Sequence, residues 1–186
     1  MSKGKLFVIS GASGVGKSTV LKKVMAARDD LAFSVSATTR EPREGERDGV
    51  DYYFITRAEF EKRIAMGDFL EYDEHHDILY GTPASQVAEK QERCNVILDV
   101  EPNGAANVRK ARPDATLIFI MPPSREELER RLRSRGDTSE EQITKRLKRA
   151  DWEMEQSAWY DHVVVNNQVD TCANRILEII AEKADN

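Results

Sequence analysis

Apolar residues along the chain form short continuous runs that are separated by longer amphipathic segments. The runs with the composition of buried strands are residues 5–10, 96–100 and 116–121, and residues 163–165 are predicted to form a last short strand. Strands that are apolar on both faces are typical of a parallel sheet with helices on each side. The alternation of such strands with helical segments predicts a doubly wound α/β fold with a central parallel sheet.

The amphipathic segments have apolar residues at helical spacing and clear start signals. From Lys17 onward, residues 20, 21, 24 and 25 would share one helix face. Three more helices are predicted by capping boxes, in which Ser or Thr is followed three residues later by Glu, at residues 56–59, 124–127 and 138–141. Gly67 and Gly136 would end the first two of these, and Asp170 would cap a last helix. Residues 51–55 are a further strand candidate.

Charge is distributed unevenly along the sequence. The 186 residues carry a net charge of −5. Residues 124–150 nevertheless hold nine Lys or Arg against six Asp or Glu, on a predicted helical hairpin. A local basic segment in an acidic chain favours small anionic ligands and argues against a nucleic-acid partner.

Composition excludes further classes of protein. Apolar residues make up 40% and charged residues 33%, as in soluble globular domains. No run approaches the roughly 18 apolar residues of a membrane span, and the run near the N-terminus is too short for a signal peptide. Cys94 and Cys172 lack metal or CxxC spacing, so we expect buried thiols in a reducing compartment. The expectation is a cytoplasmic protein with no membrane partner.

A glycine-rich motif follows the first predicted strand. Residues 11–18 are Gly-Ala-Ser-Gly-Val-Gly-Lys-Ser, which fits the P-loop pattern between a strand and a helix. Its glycines would let backbone N–H groups approach phosphate oxygens at the helix N-terminus. Lys17 would reach the β- and γ-phosphates, and Ser18 would ligate Mg²⁺. The predicted ATP-binding residues of this segment are Gly11, Ala12, Ser13, Gly14, Val15, Gly16, Lys17, Ser18 and Thr19.

Other motifs resemble the guanylate kinase family. Its nucleoside monophosphate segment is similar to Ser-Ala-Thr-Thr-Arg-Glu-Pro-Arg at residues 36–43, Gly-Glu at 45–46 and Gly-Val-Asp-Tyr-Tyr-Phe at 49–54. Phe-Leu-Glu at 69–71, Tyr-Gly-Thr-Pro at 80–83, the basic residues in 131–136 and 145–147, and Val-Val-Val-Asn at 163–166 also fall where that family places them. The resemblance covers nearly the whole chain.

The resemblance implies both an architecture and a reaction. The architecture is a single domain, residues 1–186, with the three-layer fold of P-loop kinases. Its core would comprise residues 1–33, 84–123 and 151–186, with a small GMP-binding lobe at 34–83 and a helical lid at 124–150. The reaction is transfer of the γ-phosphoryl group of ATP to GMP, and also to dGMP, with Mg²⁺ as cofactor. The transfer would be direct, without a covalent intermediate.

The residues of the expected GMP site have chemistry that suits a nucleotide. Arg40 and Arg43 lie three apart around a proline, where two guanidinium forks can converge on one phosphate. The hydroxyls of Tyr52 and Tyr80 are natural further donors to that phosphate. Taken alone, each arginine would more often be a solvated surface charge; only their joint placement after a P-loop favours the phosphate role.

The base of the acceptor would be read by a carboxylate. Glu71 can accept hydrogen bonds from both N1–H and the 2-amino group of guanine, whereas adenine offers neither donor. Ser36 or Thr82 could bond the base or the phosphate edge. Taken alone, Glu71 would be an ordinary exposed acid.

Asp99 ends an apolar strand, where an acid can orient the water shell of Mg²⁺ or contact the acceptor. The chain departs from the family here, because residues 99–104 are Asp-Val-Glu-Pro-Asn-Gly where Asp-hydrophobic-Asp-x-Gln-Gly is usual. A second departure is Asp77-Ile78, where the family commonly has Gly-Asn. An exposed aspartate at the end of a strand is the alternative for Asp99.

The basic hairpin matches the lid that closes over the triphosphate in this family. Arg135 and Arg146 correspond to its catalytic arginines, with Arg131 as a weaker candidate. The alternative is a solvated hairpin with ion pairs at i,i+4 spacing, and we expect most of its charges to be of that kind. Asn166 follows the last strand, where the family packs the donor adenine.

Two other functions remain open. Guanylate-kinase-like domains of scaffold proteins have this fold but serve as protein-interaction modules, typically without an intact P-loop. Another P-loop kinase could act on a different phosphorylated acceptor, although Glu71 and Thr82 beside Tyr80 argue for guanine. The sequence leaves the oligomeric state undetermined.

Overall fold

The computed structural model describes residues 3–75, 77–134 and 139–184. The strands in these ranges are β1 (Leu6–Gly11), β2 (Leu31–Phe33), β3 (Ala37–Thr38), β4 (Tyr53–Phe54), β5 (Phe69–His75), β6 (Ile78–Pro83), β7 (Asn95–Asp99), β8 (Thr116–Met121) and β9 (His162–Val165). The helices are α1 (Lys17–Ala26), α2 (Arg57–Ala65), α3 (Ala84–Gln91), α4 (Pro102–Ala111), α5 (Arg125–Arg133), α6 (Glu140–Glu155) and α7 (Val169–Ala184). A 3₁₀ turn, Gln156–Trp159, follows α6.

The larger sheet has five strands in the order β2-β7-β1-β8-β9. The outer pairs, β2 with β7 and β8 with β9, run parallel. Side chains such as Val8, Ile97 and Phe119 have no exposed surface, because β1, β7 and β8 are apolar on both faces. The edge strand β9 is different, since Val163 and Val165 are exposed. The predicted α/β class with a central parallel sheet is therefore confirmed.

The smaller sheet has four strands in the order β4-β3-β6-β5 and a core of its own. Phe60 of α2 is fully buried there with Ala37 and Leu79. Its ring stacks on that of Phe69, with 4.3 Å between the ring centroids. The predicted strand at 51–55 is present only as the short β4.

The chain divides into two compact units. One comprises Met1–Val8 and Asp30–Ala115, and the other comprises Ile9–Asp29 and Thr116–Asn186. All residues that the resemblance assigns to GMP belong to the first unit, and the P-loop with α5 and α6 belongs to the second. The boundaries of core, lobe and lid stay a prediction.

Helix capping follows the sequence in two places and departs from it in two. Thr56 and Ser124 cap α2 and α5 by accepting hydrogen bonds from backbone N–H groups three residues on. The cap of α6 is Ser139, not Thr138, because the capping box is completed by the amide of Gln142. Thr138 and Gly136 lie outside the described residues.

The prediction that Asp170 caps the last helix is wrong by two residues, because the cap position is that of Gln168. Helix α7 begins at Val169, and Asp170 lies in its first turn. Its carboxylate pairs with Lys23 of α1 instead of folding back onto its own backbone. The negative charge of Asp170 in the first turn is still stabilised by the positive end of the helix dipole.

The cysteines are only partly as expected. Cys172 is buried, and burial raises the pKa of its thiol to about 11, whereas Cys94 is half-buried. Both thiols are free of disulfides. Of the helices that the structure describes, none has the length and apolar character needed to cross a membrane.

Candidate active site

The P-loop motif forms a tight turn between β1 and α1. Gly14 and Gly16 have φ angles of +88° and +93°, in the left-handed region that favours glycine. The turn is closed by a hydrogen bond from the N–H of Val15 to the carbonyl of Ala12, at 3.0 Å. Helix α1 begins at Lys17, so its N-terminal N–H groups lie at the end of the loop, as an anion site requires.

Glycine is needed at position 14 for a second reason. A Cβ atom there would lie 2.6 Å from the side chain of Leu132 in α5. Lys17 is half-buried, and Ser18 and Thr19 are exposed on the first turn of α1. The structure therefore places the predicted phosphate-binding residues on one strand–loop–helix segment.

Three side chains brace this loop from elsewhere in the same unit. The carbonyl of Val15 accepts hydrogen bonds from Asn166 Nδ2 at 2.8 Å and from Arg131 Nη1 at 3.3 Å. The N–H of Ser13 donates to Glu153 Oε2 at 2.6 Å. Asn166 is thus buried against the loop, and Arg131 stabilises the loop through its hydrogen bond to Val15. Glu153 was not singled out by the sequence, because its partner lies 140 positions away.

Most basic side chains of α5 and α6 are paired. The predicted i,i+4 pairs Glu127–Arg131 and Glu141–Lys145 form, each at 2.8 Å. Arg146 is half-buried, and within the described ranges it has no ion pair. Arg135 lies outside the described residues. Among the predicted lid arginines that the structure describes, Arg146 is the one whose charge is not neutralised by a neighbouring acid.

The expected phosphate site in the other unit is built around Arg40. Its guanidinium lies 5.0 Å from the ring centroid of Tyr52 and 5.5 Å from that of Phe54. It also hydrogen-bonds the hydroxyl of Tyr80, and the pKa of Arg40 is raised, chiefly by hydrogen bonds to Glu46. Three predicted ligands, Arg40, Tyr52 and Tyr80, therefore come together.

Glu46 is the partner that sequence reasoning missed. Its two carboxylate oxygens accept hydrogen bonds from Arg40 Nη1 and Nη2 at 2.6 and 2.7 Å, and one of them also accepts from the N–H of Arg43 at 2.8 Å. These bonds lower the pKa of Glu46 to about 2. The side chain of Arg43 is exposed, and Ser36 is half-buried with its carbonyl bonded to the N–H of Tyr53. The Gly-Glu pair at 45–46 was the available signal.

Glu71 and Thr82 meet as a cross-strand pair of β5 and β6. Thr82 Oγ1 donates to Glu71 Oε1 at 2.6 Å, and both residues are buried. Desolvation raises the pKa of the Glu71 carboxyl to about 7, aided by the nearby charge of Asp73 and opposed by the hydrogen bonds from Thr82. A carboxylate has about four sites that accept hydrogen bonds, so Glu71 bonded to Thr82 retains capacity to accept further N–H donors.

Gly104 provides the space that Glu71 occupies. A Cβ atom at this position, in the first turn of α4, would lie 2.7 Å from Glu71 Oε2. Residues 101–103, where the sequence departs from the family pattern, are compatible with the start of α4. Pro102 is the first residue of that helix, a position at which proline is favoured.

The two predicted Mg²⁺ ligands, Ser18 and Asp99, lie in different compact units. Asp99 is the last residue of β7 and is half-buried. The described residues contain no group of three or more His, Cys, Asp or Glu side chains that could hold a metal. Mg²⁺ prefers oxygen ligands, so a hydroxyl such as that of Ser18 and a carboxylate such as that of Asp99 each have chemistry that suits it.

Comparison with known proteins places the chain among guanylate kinases. The family model described as guanylate kinase matches residues 3–183. The guanylate kinase of Thermus thermophilus is 48% identical over 96% of this chain and 81% of its own length. That of Fusobacterium nucleatum is 46% identical over 97% of each chain. A crystal structure of guanylate kinase from Anaplasma phagocytophilum superposes with a TM-score of 0.80 at 32% identity, covering 98% of this chain and 87% of that one.

Proposed function

The chain belongs to the guanylate kinase family, and from this membership we infer that it is an ATP:GMP phosphotransferase that forms ADP and GDP. The observation that supports an enzyme over an interaction module is the intact P-loop. Its glycines have the required left-handed φ angles, and Lys17 opens the helix that follows. We further propose that the enzyme acts in the cytoplasm, where ATP and GMP are dissolved.

The ATP site is proposed at residues 11–19. The N–H groups of Ser13 and Val15 are already bonded within the protein. Other backbone N–H groups of the loop and of the first turn of α1 bind the phosphates, and Lys17 adds a positive charge at the β- and γ-phosphates. Ser18 and, through water, Asp99 would hold Mg²⁺, which when bound neutralises negative charge on the triphosphate. Asn166 and Arg131 maintain the loop by bonding to the carbonyl of Val15.

The acceptor phosphate is proposed to bind at Arg40. Glu46 fixes the plane of its guanidinium, and the rings of Tyr52 and Phe54 support it. The hydroxyls of Tyr52 and Tyr80, together with Arg43, supply further donors. Ser36 and Asp99 complete the proposed contacts with GMP.

The acceptor base is proposed to bind at Glu71. The ionised carboxylate accepts from N1–H and the 2-amino group of guanine while Thr82 holds it in place. dGMP presents the same base and the same phosphate, so we propose it as a second acceptor. A base without these two donors leaves the buried carboxylate unsatisfied, and this rejects AMP.

The chemical step needs positioning and charge stabilisation more than covalent catalysis. An oxygen of the GMP phosphate attacks the γ-phosphorus, and the bond to the β-phosphate oxygen breaks as ADP leaves. We propose that Lys17, Arg135 and Arg146 stabilise the charge on the transferring group. The lack of a neighbouring acid beside Arg146, among the residues that the structure describes, supports its part in this assignment.

The P-loop assignment is tested by Lys17→Ala in an assay that measures ADP release with GMP as acceptor. Lys17 is the first residue of α1 and is not one of the buried core residues, so the variant should fold with little change in melting temperature. Loss of its charge should lower turnover by about 10²-fold or more. The matched control is Lys22→Ala on the exposed side of α1, which should retain full turnover. Retention of turnover within about tenfold in Lys17→Ala would contradict the assignment.

A further inference from the structure

Glu153 is a buried carboxylate beside an anion-binding loop. It lies in the last turn of α6 and is 2% exposed. Its Oε2 accepts the hydrogen bond from the N–H of Ser13 at 2.6 Å, and its Oε1 accepts one from Arg149 Nε at 2.9 Å. A negative charge at this position is costly to desolvate and repels the phosphates that the loop binds. The carboxylate of Glu153 must therefore make a contribution that offsets this cost.

The carboxylate of Glu153 holds a different atom of the loop from the one that Asn166 and Arg131 hold. Asn166 and Arg131 hold the carbonyl of Val15, whereas Glu153 holds the N–H of Ser13. Hydrogen bonds to an ionised acceptor are about twice as strong as neutral ones. The N–H of Ser13 is thereby directed at α6, and the loop is held on both sides of Gly14. Arg149 neutralises the carboxylate that does this.

Helix α6 carries Arg146 seven residues before Glu153. Seven residues make two helical turns, so both side chains project from nearly the same face, about 10 Å apart along the axis. Arg149 lies between them on that face. Because a helix is stiff over two turns, the bond from Glu153 to the loop determines the height and the rotation at which Arg146 is presented relative to the P-loop.

We propose that Glu153 is a positioning residue that fastens α6 to the P-loop and thereby aims Arg146 at the phosphoryl group. The inference rests on the proposed function, because it gives Arg146 its role. Glu153 does not contact the nucleotide. It acts through the backbone of Ser13 at one end and through the helix that carries Arg146 at the other.

A double-mutant cycle distinguishes this role from a purely structural one. The variants are Glu153→Ala, Arg146→Ala and the double variant, with kcat measured at saturating ATP, GMP and Mg²⁺. If Glu153 acts through Arg146, the substitution should lower kcat by about tenfold or more in the wild-type background and by less than about twofold when Arg146 is already absent. KM for GMP should change by less than about twofold in both backgrounds, since GMP is held by other residues.

The controls keep the test informative. Glu155→Ala removes an exposed acid two residues along the same helix and should leave kcat unchanged. Glu153→Gln keeps the shape and an acceptor for Ser13 but loses the charge, so it should give a smaller loss of kcat than Glu153→Ala. If Glu153→Ala does not fold, the same cycle is run with Glu153→Gln. Thermal unfolding of each variant shows that the assays are made on folded protein.

Two results would overturn the proposal. One is a kcat for Glu153→Ala equal to that of the wild type. The other is a pair of effects that multiply in the double variant, which would show that Glu153 and Arg146 act independently. Failure of the proposed function is a separate outcome, because it would appear as a wild-type protein that releases no ADP with GMP.

Discussion

At position 71 a carboxylate is buried beside a threonine hydroxyl, and its protonation state decides how it can bond to a base. The ionised form accepts two N–H donors, whereas the protonated form carries a hydrogen that opposes one of them. Burial places the pKa of this carboxyl at about 7. The free protein therefore holds Glu71 partly protonated near neutrality, and GMP bound as we propose would favour the ionised form.

The pH dependence of GMP use tests this assignment. Since the ionised form binds guanine, kcat/KM for GMP should fall as pH decreases through about 7. Glu71→Gln should lose this dependence and lower kcat/KM for GMP by up to about 10⁴-fold, while the KM for ATP changes little. The GMP phosphate itself titrates near pH 6. A pH dependence caused by that phosphate would persist in Glu71→Gln, because the substitution does not change the substrate. A pH profile that is identical in wild type and variant would show that Glu71 does not read the base.

The same carboxyl predicts a cost in stability. A folded-state pKa raised above the unfolded value of 4.5 means that the folded protein binds the proton more tightly. Stability is then full below pH 4.5 and decreases as pH rises toward about 7. Glu71→Gln should therefore be more stable than wild type at pH 8, by up to about 3 kcal/mol, and not at pH 4. Equal unfolding free energies at pH 8 would contradict this.

Asp77 shows how a departure from a family pattern can be accommodated. It has a φ angle of +62° in the turn between β5 and β6, at a place where the resemblance leads one to expect glycine. Aspartate tolerates this region better than most residues, so the turn survives the substitution. Asp77→Gly should change the unfolding free energy by no more than about 1 kcal/mol, in the stabilising direction. Asp29 lies in an exposed turn with negative φ, so Asp29→Gly should lower the free energy of unfolding. If denaturant unfolding showed Asp77→Gly to be less stable than Asp29→Gly, this account would be refuted.

The residues that the sequence did not reveal are those whose role depends on distant contacts. Glu153 bonds to Ser13 across 140 positions, and Gly104 is needed because of Glu71. No local pattern reports such contacts. Arg40, Glu71 and Thr82 were predictable only because their motif resembles that of a known family.

At the scale of elements, the basic hairpin shows why charge counting does not identify function. Most of its arginines and lysines are matched by acids within a turn or in the neighbouring helix, as Arg133 is by Glu129 and Glu140. Exposed pairs of this kind contribute little to stability. Arg146 differs from these side chains, because it is half-buried and forms no ion pair with any residue that the structure describes.

Arg146→Ala should lower kcat by about 10²–10⁴-fold, because its contact belongs to the transition state. KM for GMP should change little, since we propose that Arg40 and Arg43 hold that phosphate. We expect the same of Arg135→Ala. Lys148→Ala and Arg133→Ala, which alter exposed charges, should change kcat by less than about threefold. Equal effects in all four variants would mean that the basic segment acts only as a diffuse field.

Local signals located elements where they are strong and failed where they are weak. Strand β8 and the start of α1 follow directly from an apolar run and from the P-loop. The β5–β6 hairpin was missed, because Phe-Leu-Glu-Tyr-Asp-Glu-His has too many acids to stand out as a strand. Ser139 was passed over as a cap because its partner at the third helical position is glutamine and not glutamate.

At the scale of the whole molecule, the predicted ATP-binding loop and the predicted GMP-binding residues fall in different compact units. Alternating strands and helices were sufficient to predict a parallel sheet. The strand order β2-β7-β1-β8-β9 was not predictable from periodicity, because it depends on which strands pair across long stretches of chain. The reaction is inferred from membership of the guanylate kinase family and not from the pattern of strands and helices.

The central claim is that this chain transfers a phosphoryl group from ATP to a guanine nucleotide. The direct measurement is ADP release by the wild-type protein with saturating ATP and Mg²⁺ and each of GMP, dGMP, AMP, UMP and CMP as acceptor. We predict ADP release with GMP and dGMP, and kcat/KM values lower by about 10²-fold or more with the other three, because none of them offers Glu71 the paired donors of guanine. Release of ADP at similar rates with AMP, or no release with any acceptor, would contradict the claim.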